Sequence, residues 1–275
     1  MGARHSHIDF TVNDYFIVPG NPDDSGQQQQ HAWSWNIGAT YAFTPHWHAF
    51  IANGVGFETA TLTEMAYNNE QSGLNTDLGP ATNRQWEVGL RWQQATLQSQ
   101  WSMFHIETVN EIVVDRSIDG RTTYTNAGLT RRRGVEWELG WQLTPQWHWR
   151  MAATWLSADY DHGNRLPGVA EQQLYSQLDW AYRPAQQLSL ITEYRGDVVA
   201  HDDQSVVAPS HTLWHLNWQG DYEWAQWRIH PWLRWHNLTD AKYVGSVVVN
   251  QSNGRAFEPG VGREIQAGLQ FRRRY

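Results

Sequence analysis

Polar and apolar positions alternate along most of this chain, and the alternation is cleanest towards its carboxy-terminal end. Trp227, Ile229, Pro231, Leu233 and Trp235 share one parity there, and Arg228, His230, Trp232, Arg234 and His236 share the other. Ile265, Ala267, Leu269 and Phe271 oppose Glu264, Gln266, Gly268, Gln270 and Arg272 in the same way, and the chain stops at an aromatic, Tyr275. Successive side chains of a strand point to opposite faces, so each stretch is a strand with one apolar and one charged face. In a soluble sheet the apolar face meets a second apolar layer, and no helical periodicity or long apolar run supplies one here. Lipid is the remaining apolar partner. Alternating segments of roughly ten residues, apolar outward and polar inward, are what an outer-membrane β-barrel requires.

The same rhythm runs back to the start. A first strand is expected over about residues 4 to 15, followed by a polar loop from Pro19 to Gln30. Trp33, Trp35, Ile37, Ala39, Tyr41 and Phe43 mark a second strand, and Thr44-Pro45-His46 turns into a third that ends near Val55. Trp86, Val88, Leu90 and Trp92 mark the fourth, and a fifth runs through Trp101 and Met103 to Val114. Val135 to Leu143, Trp147 to Trp155, Leu174 to Tyr182, Leu188 to about Gly196 and Trp214 to Trp218 add five more before the last two. The result is an all-β membrane fold, an antiparallel meander of about twelve strands in which short and long connections alternate. That alternation puts the turns at Pro45, Ala95, Pro145, Pro184 and Gly220 on the periplasmic rim. The loops beginning near Pro19, Gly56, Arg116, Asp159, Asp197 and Ala241 fall on the extracellular rim.

Composition supports lipid over a soluble core. Hydrophobic residues are 40% of the 275 and mean hydropathy is -0.65, too polar for a bundle of membrane helices, yet the chain carries 18 Trp. Aromatic girdles around a polar lumen reconcile the two. The absence of Cys excludes a disulfide scaffold and cysteine-ligated metal,. A net charge of -8 argues against a general nucleic-acid binder,. Strand-like alternation through Ile8, Phe10 and Val12 follows the first residues at once, so no signal peptide is expected in this chain,.

Residues 236 to 264 run from His236-Asn237-Leu238-Thr239-Asp240 through Tyr243 to Gly254-Arg255 and Arg263-Glu264. This resembles the carboxy-terminal signature of TonB-dependent outer-membrane receptors, with Asn237, Leu238, Asp240, Tyr243, Gly254, Arg255, Arg263 and Tyr275 at its marked positions. Gly54 to Glu64, Glu111 to Asp115, Gly120 to Gly128 and Thr130 to Glu136 are similar to the branch linked to pyrroloquinoline quinone, itself related to siderophore receptors. Thr239 stands where the family usually has an aromatic, and Ala60 where it usually has proline. The resemblance implies the carboxy-terminal part of a barrel of about 22 strands, residues 1–275 forming barrel alone, without the amino-terminal plug or the TonB-binding segment. It implies active import of a scarce, large solute, a ferric siderophore or pyrroloquinoline quinone, through TonB, with no covalent chemistry and no cofactor. The competing reading is a self-contained barrel of about twelve strands acting as an enzyme or autotransporter translocator. That reading requires the first and last strands to pair; the fragment reading expects an open sheet.

Candidate chemistry is sparse. The chain lacks a Gly-x-Ser-x-Gly, a His-Glu-x-x-His and a P-loop, so no enzyme is expected,. Thirteen His are spread at strand or turn spacing (His46 and His48, His148, His211 and His215, His230 and His236), and no metal is assigned,. Glu136 and Glu138 share the inward face and can form a charge ladder with inward Arg91, Arg150, Arg228 and Arg234, facing a plug or lumen. Arg121, Arg132, Arg165 and Arg255 are the candidates for holding an anionic ligand, because a guanidinium fork matches a carboxylate. Parity turns Arg131 and Arg133 outward near the extracellular rim, where lipopolysaccharide phosphates are a suitable partner.

Overall fold

The computed structural model describes residues 1–19, 23–68, 74–118 and 120–273; Tyr275 of the signature lies outside them. Twelve strands form the wall: β1 (Gly2–Val12), β2 (Gly26–Ala42), β3 (Trp47–Glu58), β4 (Ala81–Gln93), β5 (Leu97–Val109), β6 (Leu129–Thr144), β7 (Trp147–Tyr160), β8 (Gln172–Arg183), β9 (Gln186–Arg195), β10 (His211–Gly220), β11 (Trp227–His236) and β12 (Glu264–Arg273). They pair antiparallel in chain order without a crossover, and a short extra strand, Tyr222–Trp224, sits against β11.

From β2 to β12 register bears out the predicted parity along the regular part of each strand, with shifts between Gln142 and Thr144 and between Trp180 and Arg183. The first strand differs, because Ile8 and Phe10 stand opposite Gln30 and Gln28, on the inward parity, while His5 and Ala3 stand opposite Trp33 and Trp35. Ala39 stands opposite Ile51, Ile51 opposite Val88, Val88 opposite Met103, Met103 opposite Val135 and Val135 opposite Trp155. Further along, Leu178, Leu190, Leu216, Trp235 and Ile265 form a second such row. These rows make one continuous apolar face whose members are open rather than packed: Met103 is 60% exposed, Leu269 63% and Val88 46%. Aromatics bound the band. Trp86 and Trp92 on β4, Trp155 and Trp149 on β7, and Trp235 and Trp227 on β11 lie six to eight residues apart, about 20–26 Å along a strand. That is the height of a lipid-facing band between its girdles.

The two Thr-Pro turns are built alike. Thr44 Oγ1 accepts from the backbone N–H of His46 and Trp47 at 3.2 and 2.9 Å, and Thr144 Oγ1 does the same for Gln146 and Trp147 at 3.2 Å each. Each hydroxyl holds the chain in its reversal without a long loop.

Three expectations about boundaries need correction. The fifth strand ends at Val109, not Val114: Asn110 takes a left-handed φ of 57°, and Ile112–Ile118 pairs with Arg121–Asn126 as a separate hairpin. The expected loop through Gln30 ends earlier, because Gln27 to Gln30 pair with Ile8 to Thr11 in β1; a polar run supplies backbone bonds as well as any other. The first strand ends at Val12. The long connections also hold structure that alternation could not forecast: a short helix, Leu62–Met65, closed by a Thr61–Glu64 capping box, and the hairpins Val198–Val199/Val207–Ala208 and Val244–Val247/Phe257–Pro259.

The buried apolar clusters gather in these connections and at the strand ends that enter them. The three centre on Ala60, Met65 and Leu78, on Ala158, Tyr160 and Leu166, and on Ala170, Val198 and Ala208. All sit at the rim that carries the long loops. Among the described residues β1 pairs only with β2, and β12 only with β11. The pairing that a self-contained barrel requires is not formed, and the sheet is open.

Candidate functional site

The face opposite the tryptophan rows carries Arg91, Glu136, Glu138, Arg150, Arg228 and Arg234, each on the inward parity. Their partners are specific. Arg91 donates through Nε and Nη2 to Gln100 Oε1 at 3.0 and 2.7 Å, beneath the Phe50 ring. Arg150 meets Asp179 at 3.0 Å, and Asp179 also accepts from Gln177 and Ser189. Arg228 pairs with Asp221, and Arg234 lies over the Trp232 ring at 5.1 Å. The carboxylates that neutralise this face are therefore Asp179 and Asp221. Glu136 and Glu138 form no ion pair among the described residues, and Glu138 instead lines a groove of about 400 Å³ with Arg91, Gln100, Arg150 and Tyr175.

Three inward aromatics lie flat over glycines on the neighbouring strand: Phe50 over Gly89, Phe104 over Gly134 and Trp232 over Gly268. A Cβ at those glycines would meet ring atoms at 2.3, 2.4 and 2.5 Å. The glycine lets a large ring lie down along the wall and keeps the lumen open.

At the long-loop rim the four candidate ligand arginines have unequal freedom. Arg132 donates Nη1 to Glu111 Oε2 at 2.8 Å and Nη2 to Glu111 Oε1, and Glu111 also accepts from Thr130 Oγ1. Burial works to raise the Glu111 carboxyl, but those hydrogen bonds and the Arg132 charge outweigh it and hold it below the ordinary carboxylate range,. Arg165 is shared between Glu171 at 3.0 Å and Asp197 at 2.7 Å. Arg121 lies 5.4 Å from the centroid of the Tyr67 ring. The Arg255 side chain, at the exposed tip between Val247 and Phe257, has no protein partner among the described residues.

The signature residues form a clamp. Asn237 is buried with φ 48°; its Oδ1 accepts from Ala241 N–H at 2.8 Å, and its Nδ2 donates to Ala241 O and Val261 O at 3.0 and 3.2 Å. Asp240 Oδ1 accepts from Arg263 N–H at 3.0 Å. The Tyr243 ring covers Gly260, where a Cβ would lie 2.2 Å from it. Asn237, Asp240, Tyr243 and Arg263 thus bring the chain leaving β11 against the chain entering β12. Leu238 N–H donates to Trp214 O at 2.8 Å; Gly254 sits in the tip with φ 74°.

Of the outward arginines, Arg131 is held by Asp161 at 2.6 Å and Glu107 at 3.5 Å. Arg133 is exposed and opposite His105. Among the described residues no group of three or more His, Asp and Glu side chains has metal-binding geometry. Sequence reasoning missed Glu111, Asp179 and the glycine-aromatic pairs. The inward parity of Asp179 and of each glycine was readable, but not which residue faces it across the strand.

A family model described as TonB dependent receptor-like, beta-barrel, matches residues 1–250. The pesticin receptor of Yersinia enterocolitica is 25% identical over 183 residues, 61% of this chain and 25% of the receptor. Among solved structures, the siderophore receptor PiuA of Acinetobacter baumannii superposes with a TM-score of 0.77 at 16% identity, covering 98% of this chain and 40% of the receptor. The ferric yersiniabactin uptake receptor FyuA of Yersinia pestis gives 0.76 at 19%, covering 97% and 41%. The chain spans a quarter to two fifths of these relatives.

Proposed function

The chain belongs to the TonB-dependent receptor-like β-barrel family, an outer-membrane family of transport receptors and not of enzymes, and on that premise we propose that the complete protein imports a scarce, large solute using energy passed through TonB. The observation that carries this is the two-faced wall, with a girdled apolar face for lipid, a hydrogen-bonded polar face for a lumen, and all long connections on one rim. Residues 1–275 act as one barrel domain in this reading. Arg91, Glu136, Glu138, Arg150, Arg228 and Arg234 face the plug that the family places inside the wall.

A ferric siderophore is the substrate class that the rim favours. Pyrroloquinoline quinone, suggested by the sequence resemblance, is a polycarboxylate and calls for free guanidinium forks. Arg132 and Arg165 already hold carboxylates of the protein, which leaves Arg255 and Arg121 to meet an anion. The siderophore receptor PiuA and the ferric yersiniabactin uptake receptor FyuA, which share this fold, support the same reading. Arg133, with Arg131 neutralised by the protein, is the outward contact for lipopolysaccharide phosphate. Isothermal titration of the complete receptor with a panel of ferric siderophores and with pyrroloquinoline quinone tests the reading. Binding of a ferric siderophore alone supports it, binding of the quinone alone reverses the substrate, and binding of neither removes both.

A further inference from the structure

Four of the long connections are joined through one pair of side chains, Asn250 and Asp202. Asn250, at the turn of the 244–259 hairpin, has a left-handed φ of 52° and uses every polar group it has. Its Nδ2 donates to Val114 O and to Asp202 Oδ2, both at 2.7 Å. Its Oδ1 accepts from Asp202 N–H at 3.1 Å. Its own N–H donates to Ala200 O at 3.0 Å, and its carbonyl accepts from Ser117 N–H at 3.1 Å.

Asp202 carries the tie onward. Its Oδ1 accepts from Tyr160 Oη at 2.8 Å and its carbonyl from Asn164 Nδ2 at 2.9 Å. The Asn250–Asp202 pair therefore links the 112–126 hairpin, the 161–171 connection, the 196–210 connection and the 237–263 connection. Asparagine suits this joint. It tolerates a left-handed backbone, and its amide offers two donors beside an acceptor, the complement of one carboxylate, one carbonyl and one N–H.

We propose that the four long connections open and close as one unit, with Asn250 as the positioning residue that passes displacement of any one of them to the others through Asp202. A solute that touches one loop would then move all four, so the rim acts as a single lid. The proposal rests on the rim facing the imported solute only for its purpose; the coupling itself is a property of the empty protein and is tested without a ligand.

The test is hydrogen exchange on the complete receptor in detergent micelles, with heat-modifiable gel mobility as the check that the wall is folded. Asn250→Ala should speed exchange together at Ser117, at Asp202 and at Tyr160, whose N–H donates to Asn164 O at 2.8 Å, by roughly ten- to a hundredfold. Asn250→Asp should do the same, because its carboxylate faces Asp202, and the swapped pair Asn250→Asp with Asp202→Asn should restore protection at 202 and 160, since the amide then donates in the opposite direction. A loss of protection confined to residues 249–252, or a swapped pair no better protected than Asn250→Asp alone, overturns the proposal.

Discussion

At the scale of single residues, the inner wall depends on what is missing as much as on what is present. Gly89 and Gly134 are glycines because Phe50 and Phe104 occupy the place of their Cβ and a backbone carbonyl lies at 2.5 and 2.7 Å. Gly89→Ala and Gly134→Ala should each cost about 1–3 kcal/mol through overpacking. Gly140, with nothing within 4 Å of its Cβ position, should accept alanine. Denaturant titration of the folded protein in detergent compares the three, and equal losses would show the rings free to move. The Glu111–Arg132 pair gives a pH prediction. Because the Glu111 carboxyl titrates below its ordinary value in the fold, its stabilisation is fully present above about 4.5 and is lost as pH falls through the depressed value. Exchange protection of the 112–126 hairpin should hold at neutrality and fall only as acidification passes below the ordinary carboxylate range,. In Arg132→Gln, burial acts on Glu111 without its cation, the carboxyl rises, and the hairpin should gain protection on acidification. The same profile in both proteins would remove the pair as the cause.

Strands are where the sequence pattern becomes a physical surface. A single strand with alternating polarity has no preferred partner, but register sets most outward apolar positions from β2 to β12 in rows beside one another, and the rows make one band. Leu139→Arg or Leu269→Arg should impair folding into lipid by about 2–4 kcal/mol near the midplane and less near an interface. Gln266→Arg, on the other parity of β12, should be mild, as should Gln142→Arg apart from the loss of its bonds to Thr144 O and Trp147 O. The readout is the fraction that reaches the heat-modifiable form in vesicles; similar damage from both sets would mean that the faces are not distinct. Extra hydrogen-bonding power in a strand is a weaker signal than parity. Gln27 to Gln30 look like a loop by composition and are strand by pairing.

On the scale of the whole molecule, wall and rim are separate structures with separate sources of stability. The wall's large apolar side chains lie mostly open on one face and rely on lipid; the rim has three small clusters and a hydrogen-bonded joint. Replacing the tip between Val247 and Phe257 by a short glycine linker should therefore leave membrane insertion intact, by gel mobility, while exposing the 112–126 and 196–210 connections to protease in whole cells. Protection unchanged at those two connections would show the rim clusters sufficient without the tip. Ligand anchoring belongs to this scale too. Arg255→Gln should weaken solute binding without altering stability, whereas Arg165→Gln, which releases Glu171 and Asp197, should loosen the rim first; titration calorimetry and exchange together separate the two effects.

Parity from the second strand onward, the count of wall strands, the short turns and the lipid-facing aromatics were legible in the sequence, because a period of two is a local property that lipid demands. The first strand alternates too, but its apolar Ile8 and Phe10 stand opposite Gln30 and Gln28 on the inward parity. The signature of residues 237 to 263 could be recognised but not understood: Asn237 and Arg263 reveal their reason only when Asn237 Nδ2 reaches Val261 O and Asp240 meets the Arg263 N–H. The rim was least legible. Whether an arginine there awaits a solute or is already spoken for, as Arg132 is by Glu111, depends on contacts between loops far apart in the chain. Those contacts obey no period, so only the tertiary structure decides which guanidinium is free and which loops move together.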